Sequence, residues 1–327
     1  MLRTFFLLAG LVLLAWVVVA QGPREIVALL RQIGWGVVPI AAIYAAYQAC
    51  RALALRHAIV RDAAIPFVDL LRIRVSGEAV QVLTFTGPFL AEPSKAWLLG
   101  RRGLALTEGF AATTAEYLVY TLISAVMLSV GLTGLLVHYD LSGVLATAAR
   151  VVVTIAIVFL GVAAVAIAGR IYLIGAVLAA LGRLPVVGRR LRLDAAAVRR
   201  VEDLLLEVLR EQPARLARVA LFEIAAQILL VAELAWILAL AGLPWSVWDA
   251  FLIESSTKFT TMAFFFIPGQ VGASEGVLAL VFATVGLPAA GGVAAAIVRR
   301  VRSLLVAAIG LAALAAMSRA RPSVPGL

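Results

Sequence analysis

The sequence is poor in the residues that most soluble enzymes use for chemistry. Its 327 residues include one cysteine, Cys50, and two histidines, His57 and His138. A single cysteine cannot form an intrachain disulfide or a cysteine-based metal site, and two isolated histidines give little basis for metal or histidine catalysis. No G-x-x-x-x-G-K-[ST] motif is present, so ATP hydrolysis is not expected. We predict no metal, no cofactor and no enzymatic activity, although a transferase built on glutamate and arginine stays open.

Charge is also scarce, whereas apolar residues are abundant. Charged residues make up 14% of the chain and hydrophobic residues 64%, and the mean hydropathy is +1.06. Soluble domains are about 45–50% apolar, so the excess here must face lipid. The net charge of +10 comes from arginine clusters between apolar stretches, which indicates membrane orientation and not nucleic-acid binding. We predict an all-α polytopic membrane protein, with one transmembrane domain over residues 1–327.

Stretches of about 20 apolar residues predict the membrane spans. Residues 2–20 form a longer apolar run than a signal peptide requires, so we interpret them as a retained first span. A mixed helix over residues 23–33 and another over 193–211 have apolar positions at helical spacing, and are predicted to lie on the membrane surface, the second on the cytoplasmic side. The six predicted full spans are residues 2–20, 34–55, 104–137, 143–168, 219–240 and 292–317.

Two segments, residues 67–99 and 245–285, fit neither pattern. Each is apolar in patches, carries several charges and is interrupted by glycine and proline. Backbone that is broken at membrane depth is tolerated only where protein or a wet cavity surrounds it. We therefore predict two re-entrant helical hairpins.

The broken segments match each other 183 residues apart: Glu92 falls on Glu275, and Gly109 on Gly292. The arginine clusters place both termini in the cytoplasm of a bacterial inner membrane, so the first hairpin enters from the cytoplasm and the second from outside. We therefore predict inverted repeat units over residues 67–137 and 245–317. Inverted repeats with broken helices are typical of secondary transporters, which bind substrate near the midplane.

Charged residues inside the apolar zone are costly and point to function. Arg299 and Arg302 share a helix face, whereas Arg300 is expected to point elsewhere. Arginine forks suit phosphate, but Arg299 could instead pair with its repeat partner Glu116 as a lock. Glu223 and Glu233 are expected to hold the bundle together. The predicted substrate-binding residues are Glu92, Lys95, Glu116, Lys258, Pro268, Gly269, Gly272, Ser274, Glu275, Arg299 and Arg302.

Two motifs, TGPFLAEPSKAWLL from Thr86 and P-G-x-x-G-x-x-E-G from Pro268, carry a family resemblance. The chain resembles the flippase-like transmembrane domain of lysylphosphatidylglycerol synthases, and the first motif looks most like membrane proteins encoded with hopanoid biosynthesis genes. The resemblance implies a lipid translocase fold. It carries over Glu92 and Lys95 from the first motif, and from the second the residues Pro268, Gly269, Gly272 and Glu275 with the later Arg299. Leu90-Ala91 replaces the usual Gly-Gly, and lysyl transfer is not expected.

The predicted function is a flippase or transporter for a polar or isoprenoid-type lipid of the inner membrane. The expected partners are membrane lipids with anionic or polar headgroups, lipid-biosynthesis enzymes and a second copy of the chain. Two alternatives stay open, namely a scaffold for a lipid or hopanoid biosynthesis complex and an intramembrane lipid-modifying enzyme.

Overall fold

The computed structural model describes residues 19, 23–60, 65–84, 87–172, 195–264, 267 and 270–319. These residues form helices and no strand, which confirms the all-α prediction. Proline and glycine mark many helix ends, as at Pro88, Pro213 and Gly143. The helices are α1 (Pro23–Ile33), α2 (Val37–Ala58), α3 (Phe67–Leu83), α4 (Pro88–Gly100), α5 (Leu106–His138), α6 (Gly143–Ala168), α7 (Ala195–Leu206), α8 (Pro213–Leu240), α9 (Val247–Ala263), α10 (Ala273–Thr284) and α11 (Ala289–Arg319).

Five helical stretches are long and apolar enough to cross a membrane: Pro23–Ala58, Leu106–His138, Gly143–Ala168, Pro213–Leu240 and Ala289–Arg319. They agree with the second to sixth predicted spans, and the predicted first span lies outside the described residues. Helix α1 forms as predicted but continues into α2 through a 3₁₀ turn, Gly34–Gly36. It also packs on α11, with Ile26 and Ile33 buried.

Both broken segments form pairs of short helices. Helices α3 and α4 have 17 and 13 residues, which correspond to about 25 and 20 Å of helix. Helices α9 and α10 have 17 and 12 residues. None of the four reaches the roughly 30 Å of a hydrocarbon core. Each pair packs together, so the predicted interruptions are present.

The predicted repeat would match helices α2–α5 with α8–α11. Helices α5 and α11 begin 183 residues apart, at Leu106 and Ala289. Left-handed backbone also recurs at this distance, at Gly103 and Gly286 and at Gly87 and Gln270. The packing partners are exchanged, because α3 packs on α11 and α9 packs on α5.

Helix α7 and the π turn Glu207–Glu211 fall on the predicted surface helix. Leu204, Leu205 and Val208 on its apolar face are buried, and α7 packs against α5. The apolar face therefore contacts the bundle itself, and its membrane side stays a prediction.

Two glycines 183 residues apart allow the same close helix contact. A Cβ atom on Gly109 would lie 2.9 Å from the carbonyl oxygen of Ala96, and one on Gly292 would lie 2.5 Å from that of Leu278. Both contacts are with backbone, which cannot rotate away. We expect Gly109→Ala and Gly292→Ala each to lower the free energy of unfolding by about 1–3 kcal/mol, measured by denaturant titration in detergent.

The matched control is Gly100→Ala at the end of α4, where an added Cβ meets no atom within 4 Å. This variant should change stability little. Unaltered stability in both Gly109→Ala and Gly292→Ala would contradict the close packing of α4 on α5 and of α10 on α11.

Candidate functional site

A cavity of about 440 Å³ lies between the two halves of the chain. Helices α2, α3 and α5 of the first half and α8–α11 of the second contribute its wall. The charged side chains among the described residues of the wall are Arg51, Arg74, Lys258, Arg299, Arg300 and Arg302, with Glu78 and Glu254.

Helices α8, α9 and α11 hold one network of charges beside this cavity. Arg299 lies 2.7 Å from Glu254 and 3.3 Å from Glu233. Lys258 contacts Glu254 at 2.8 Å, and Arg302 pairs with Glu233. Each of these two carboxylates therefore contacts two cations. The network joins three different helices, so it orients the cations of the cavity wall.

Arg300 belongs to the same cavity, which corrects the expectation that it points elsewhere. Its guanidinium lies 2.5 Å from the Glu275 carboxylate and donates to the Ser274 hydroxyl at 2.9 Å. Adjacent residues of a helix point about 100° apart, so Arg300 does point away from Arg299. The start of α10, however, lies on the side of α11 that Arg300 faces, and the cavity extends to that side. Glu275 also accepts a hydrogen bond from the Gly272 amide, 2.8 Å, so it caps α10 as well.

The first half holds a second network around Glu116. Its carboxylate lies 2.5 Å from Arg51 and 3.1 Å from Lys95. Arg51 also contacts Glu223 on α8 at 3.2 Å. Lys95 also pairs with Glu92, three residues earlier on α4, at 2.8 Å. Glu116 on α5 therefore holds both Arg51 of α2 and Lys95 of α4 from within the protein.

The alternative pair of Arg299 with Glu116 is not formed in the structure. Glu116 is satisfied by Arg51 and Lys95, and Arg299 by Glu233 and Glu254. Spacing in the repeat identified the two positions but not these nearer charges from neighbouring helices. Glu223 and Glu233 do hold the bundle together, as predicted, through Arg51 on α2 and through two arginines on α11.

The structure adds residues that the sequence interpretation left out of the site. Arg51 contacts the face of Tyr120, with its guanidinium carbon 3.9 Å from the ring centre, and Arg302 contacts Tyr44 in the same way at 3.6 Å. Glu78 accepts from the Tyr44 hydroxyl, 2.8 Å, and from Arg74, 3.3 Å. The sequence did contain a signal for Arg51, because this residue is a charge inside the predicted span 34–55, and such charges point to function.

The position of each carboxylate, facing the cavity or behind its wall, decides which charges a ligand in the cavity would meet. Glu116, Glu223, Glu233 and Glu275 are fully buried and lie outside the described cavity wall, whereas their arginine partners are part of it. These carboxylates thus hold the cations from behind. The wall itself exposes six cationic side chains and two carboxylates to the cavity, an arrangement that suits an anion.

The remaining predicted residues lie at the second interruption. Gly272, with a φ of 80°, directly precedes α10, and Ser274 lines the cavity. Pro268 and Gly269 lie outside the described residues. Glu92 and Lys95 lie in the first network, away from the charged cavity wall. The structure thus brings Lys258, Ser274, Arg299 and Arg302 together at one cavity, with Glu275 behind them.

Residues 5–310 match the model of the family described as the lysylphosphatidylglycerol synthase TM region. No curated protein and no solved structure is significantly similar to the chain.

Proposed function

We propose that this chain, which belongs to the family of the lysylphosphatidylglycerol synthase TM region, moves an anionic lipid across the bilayer with the headgroup held in the charged cavity. The observation that carries the proposal is the wall of six cations with only two carboxylates. Arginine matches phosphate oxygens with two parallel hydrogen bonds. Four further carboxylates, Glu116, Glu223, Glu233 and Glu275, pair with these cations from behind the wall, so the cavity presents guanidinium groups to a ligand without leaving them unpaired when it is empty.

The aromatic residues of the cavity favour phosphate over a quaternary ammonium group. A choline headgroup would need free aromatic faces. Here Arg51 covers a face of Tyr120 and Arg302 covers a face of Tyr44. The hydroxyl groups of Thr257, Thr261 and Ser303 also line the cavity and suit a headgroup with hydroxyls of its own.

The ends of the hairpins support an inverted arrangement of the two units. Arg102, just after α4, contacts Asp69 at the start of α3, 3.0 Å, so the first hairpin opens at the end where α5 begins. Tyr139, just after α5, donates to Asp249 at the start of α9, 2.9 Å. The second hairpin therefore opens at the other end of α5. Alternating access on this plan would expose the cavity to each leaflet in turn.

The same contacts bear on orientation. Arg101 donates to the carbonyl of Met317, 3.2 Å, and Arg215 to that of Ile59, 2.6 Å. Basic residues from distant parts of the sequence therefore meet at one end of the bundle. The positive-inside rule makes this the cytoplasmic end, and we propose a location in a bacterial inner membrane on that basis.

The transport proposal is tested with Arg299→Gln in liposomes that contain fluorescent phosphatidylglycerol. This change keeps each carboxylate of the network paired, Glu254 with Lys258 and Glu233 with Arg302, so it removes one cavity cation with little disturbance of the fold. A charge-assisted hydrogen bond contributes about 1.5–3 kcal/mol, and we expect transbilayer movement to slow by roughly 10–100-fold.

The matched control is Arg150→Gln, because Arg150 is an exposed arginine on the spanning helix α6 and does not line the cavity. It should leave transport unaltered. Equal rates in the wild-type protein and Arg299→Gln would contradict the proposal. Lipid binding without movement would instead indicate a scaffold, and chemically altered lipid an intramembrane enzyme.

A further inference from the structure

A second cavity, of about 480 Å³, adjoins the charged one. The two cavities share Tyr120, Lys258 and Thr261, so these residues form a neck between them. Helices α4, α5 and α9 supply the described wall of the second cavity. Its size falls within the range of about 300–1,000 Å³ that is usual for binding sites of small organic molecules.

The wall of this second cavity has a different chemistry. Its large side chains are Phe89, Pro93, Phe110, Tyr117 and Met262, which offer aromatic and aliphatic surface. The wall of the charged cavity, by contrast, contains five arginines. An apolar chamber joined to a cationic one matches the two parts of an amphipathic molecule.

Several polar side chains of the second cavity already have partners within the protein. Glu92 pairs with Lys95, 2.8 Å, and Lys258 pairs with Glu254, 2.8 Å. The Thr121 hydroxyl donates to the carbonyl of Tyr117, 2.7 Å. A charged headgroup would have to displace these contacts, whereas a hydrocarbon chain would leave them in place.

The outer part of the cavity is open to the surroundings of the protein. Phe89 on α4 is 73% exposed and Met262 on α9 is 39% exposed, and both are large apolar residues at the cavity wall. Because these exposed residues are apolar, we expect the opening to face lipid tails in a bilayer. A chain could therefore enter sideways between α4 and α9 without crossing a polar surface.

We propose that the second cavity takes the hydrocarbon chain of the lipid whose headgroup occupies the charged cavity, with Lys258 and Tyr120 at the junction of the two parts. This inference rests on the transport proposal and narrows its substrate to a lipid whose chain enters the protein. Burial of methylene groups in an apolar chamber contributes to affinity in proportion to chain length.

Filling the chamber tests the inference. Thr114 faces the second cavity from α5, and Thr114→Trp should exclude part of a chain. We expect transport of phosphatidylglycerol with long chains to fall at least about tenfold, because loss of even two buried methylenes lowers affinity by that factor. Transport of phosphatidylglycerol with eight-carbon chains should change little. Thr133→Trp, at an exposed position on the same helix, is the matched control.

A second measurement avoids a bulky residue in the bundle. Thr114→Cys in a Cys50→Ser background introduces a small thiol as the only one in the chain. Long-chain phosphatidylglycerol should slow its reaction with a thiol-specific reagent several-fold, while the eight-carbon lipid should not. Thr133→Cys should react equally with and without either lipid.

Protection of Thr114→Cys by both lipids alike would overturn the inference, because it would place the headgroup in the second cavity. Protection by neither lipid would also overturn it. The transport proposal is tested separately by Arg299→Gln. Slowed transport in that variant would support it whatever the result at residue 114. Normal transport in Arg299→Gln, with chain-dependent protection at residue 114, would reject the headgroup site alone.

Discussion

Arg51→Gln is expected to destabilise the protein by about 3–5 kcal/mol, which is the usual cost of removing one partner of a buried ion pair. Arg51 joins α2 to both α5 and α8, through Glu116 at 2.5 Å and Glu223 at 3.2 Å. Glu116 would retain Lys95 at 3.1 Å. Glu223 is fully buried and would lose the cation that contacts it, so an uncompensated charge would remain between the helices. Thermal unfolding in detergent measures the loss.

A second substitution, Glu223→Gln, removes the buried charge that Arg51→Gln leaves unpaired. The double variant Arg51→Gln/Glu223→Gln replaces both charges by neutral amides, and should recover most of the lost stability. Glu223→Gln alone should be mild, because Arg51 keeps Glu116. If the single Arg51→Gln variant unfolds like the wild-type protein, or if the double variant is the less stable of the two, the buried pair does not stabilise the fold.

Gly310→Leu is expected to prevent stable folding, with a cost of at least about 3 kcal/mol. Gly310 lies on α11 where this helix crosses α3, and its carbonyl accepts a hydrogen bond from the Ser76 hydroxyl, 3.2 Å. An added Cβ would overlap the backbone carbonyl of Val75. Small residues are what allow helices to approach so closely in membranes, and neither backbone can rotate away.

Gly161→Leu on α6 provides the comparison for Gly310→Leu. An added Cβ at Gly161 meets no atom within 4 Å, so the same substitution should be tolerated there. Size-exclusion chromatography after extraction in a mild detergent distinguishes the two, with a monodisperse peak for Gly161→Leu and aggregation for Gly310→Leu. Two monodisperse peaks of equal thermal stability would show that α3 and α11 do not cross at Gly310.

The spans could be predicted because each depends on a local property of the chain. Twenty apolar residues satisfy the backbone within one helix and the side chains within lipid, whatever the neighbouring helices do. Residues 143–168 were predicted with the same bounds that the structure gives to α6. The interruptions near Pro88 and Gly272 follow from the same local chemistry, since proline and glycine weaken a helix in any context.

The charged site could be predicted only in part. Charges within an apolar stretch stand out, so Glu116, Lys258, Glu275, Arg299 and Arg302 were identified as residues of interest. Their partners could not be derived, because a partner such as Arg51, which contacts Glu116, is 65 residues away in the sequence and lies on another helix. Arg300 was excluded on helix periodicity, which describes one helix but not the position of α10 beside it.

Hydropathy, charge spacing and helix-breaking residues thus sufficed for the membrane class, the positions of the long helices and the two interruptions, because all of these act within a few turns of one helix. Only the packing of the two halves decided three other features: the pairing of each buried charge, the exposure of six cations but only two carboxylates to the cavity, and the junction of a polar with an apolar chamber. Ion pairs and cavity walls depend on distances of a few ångströms between separate helices, and no single stretch of sequence contains those distances.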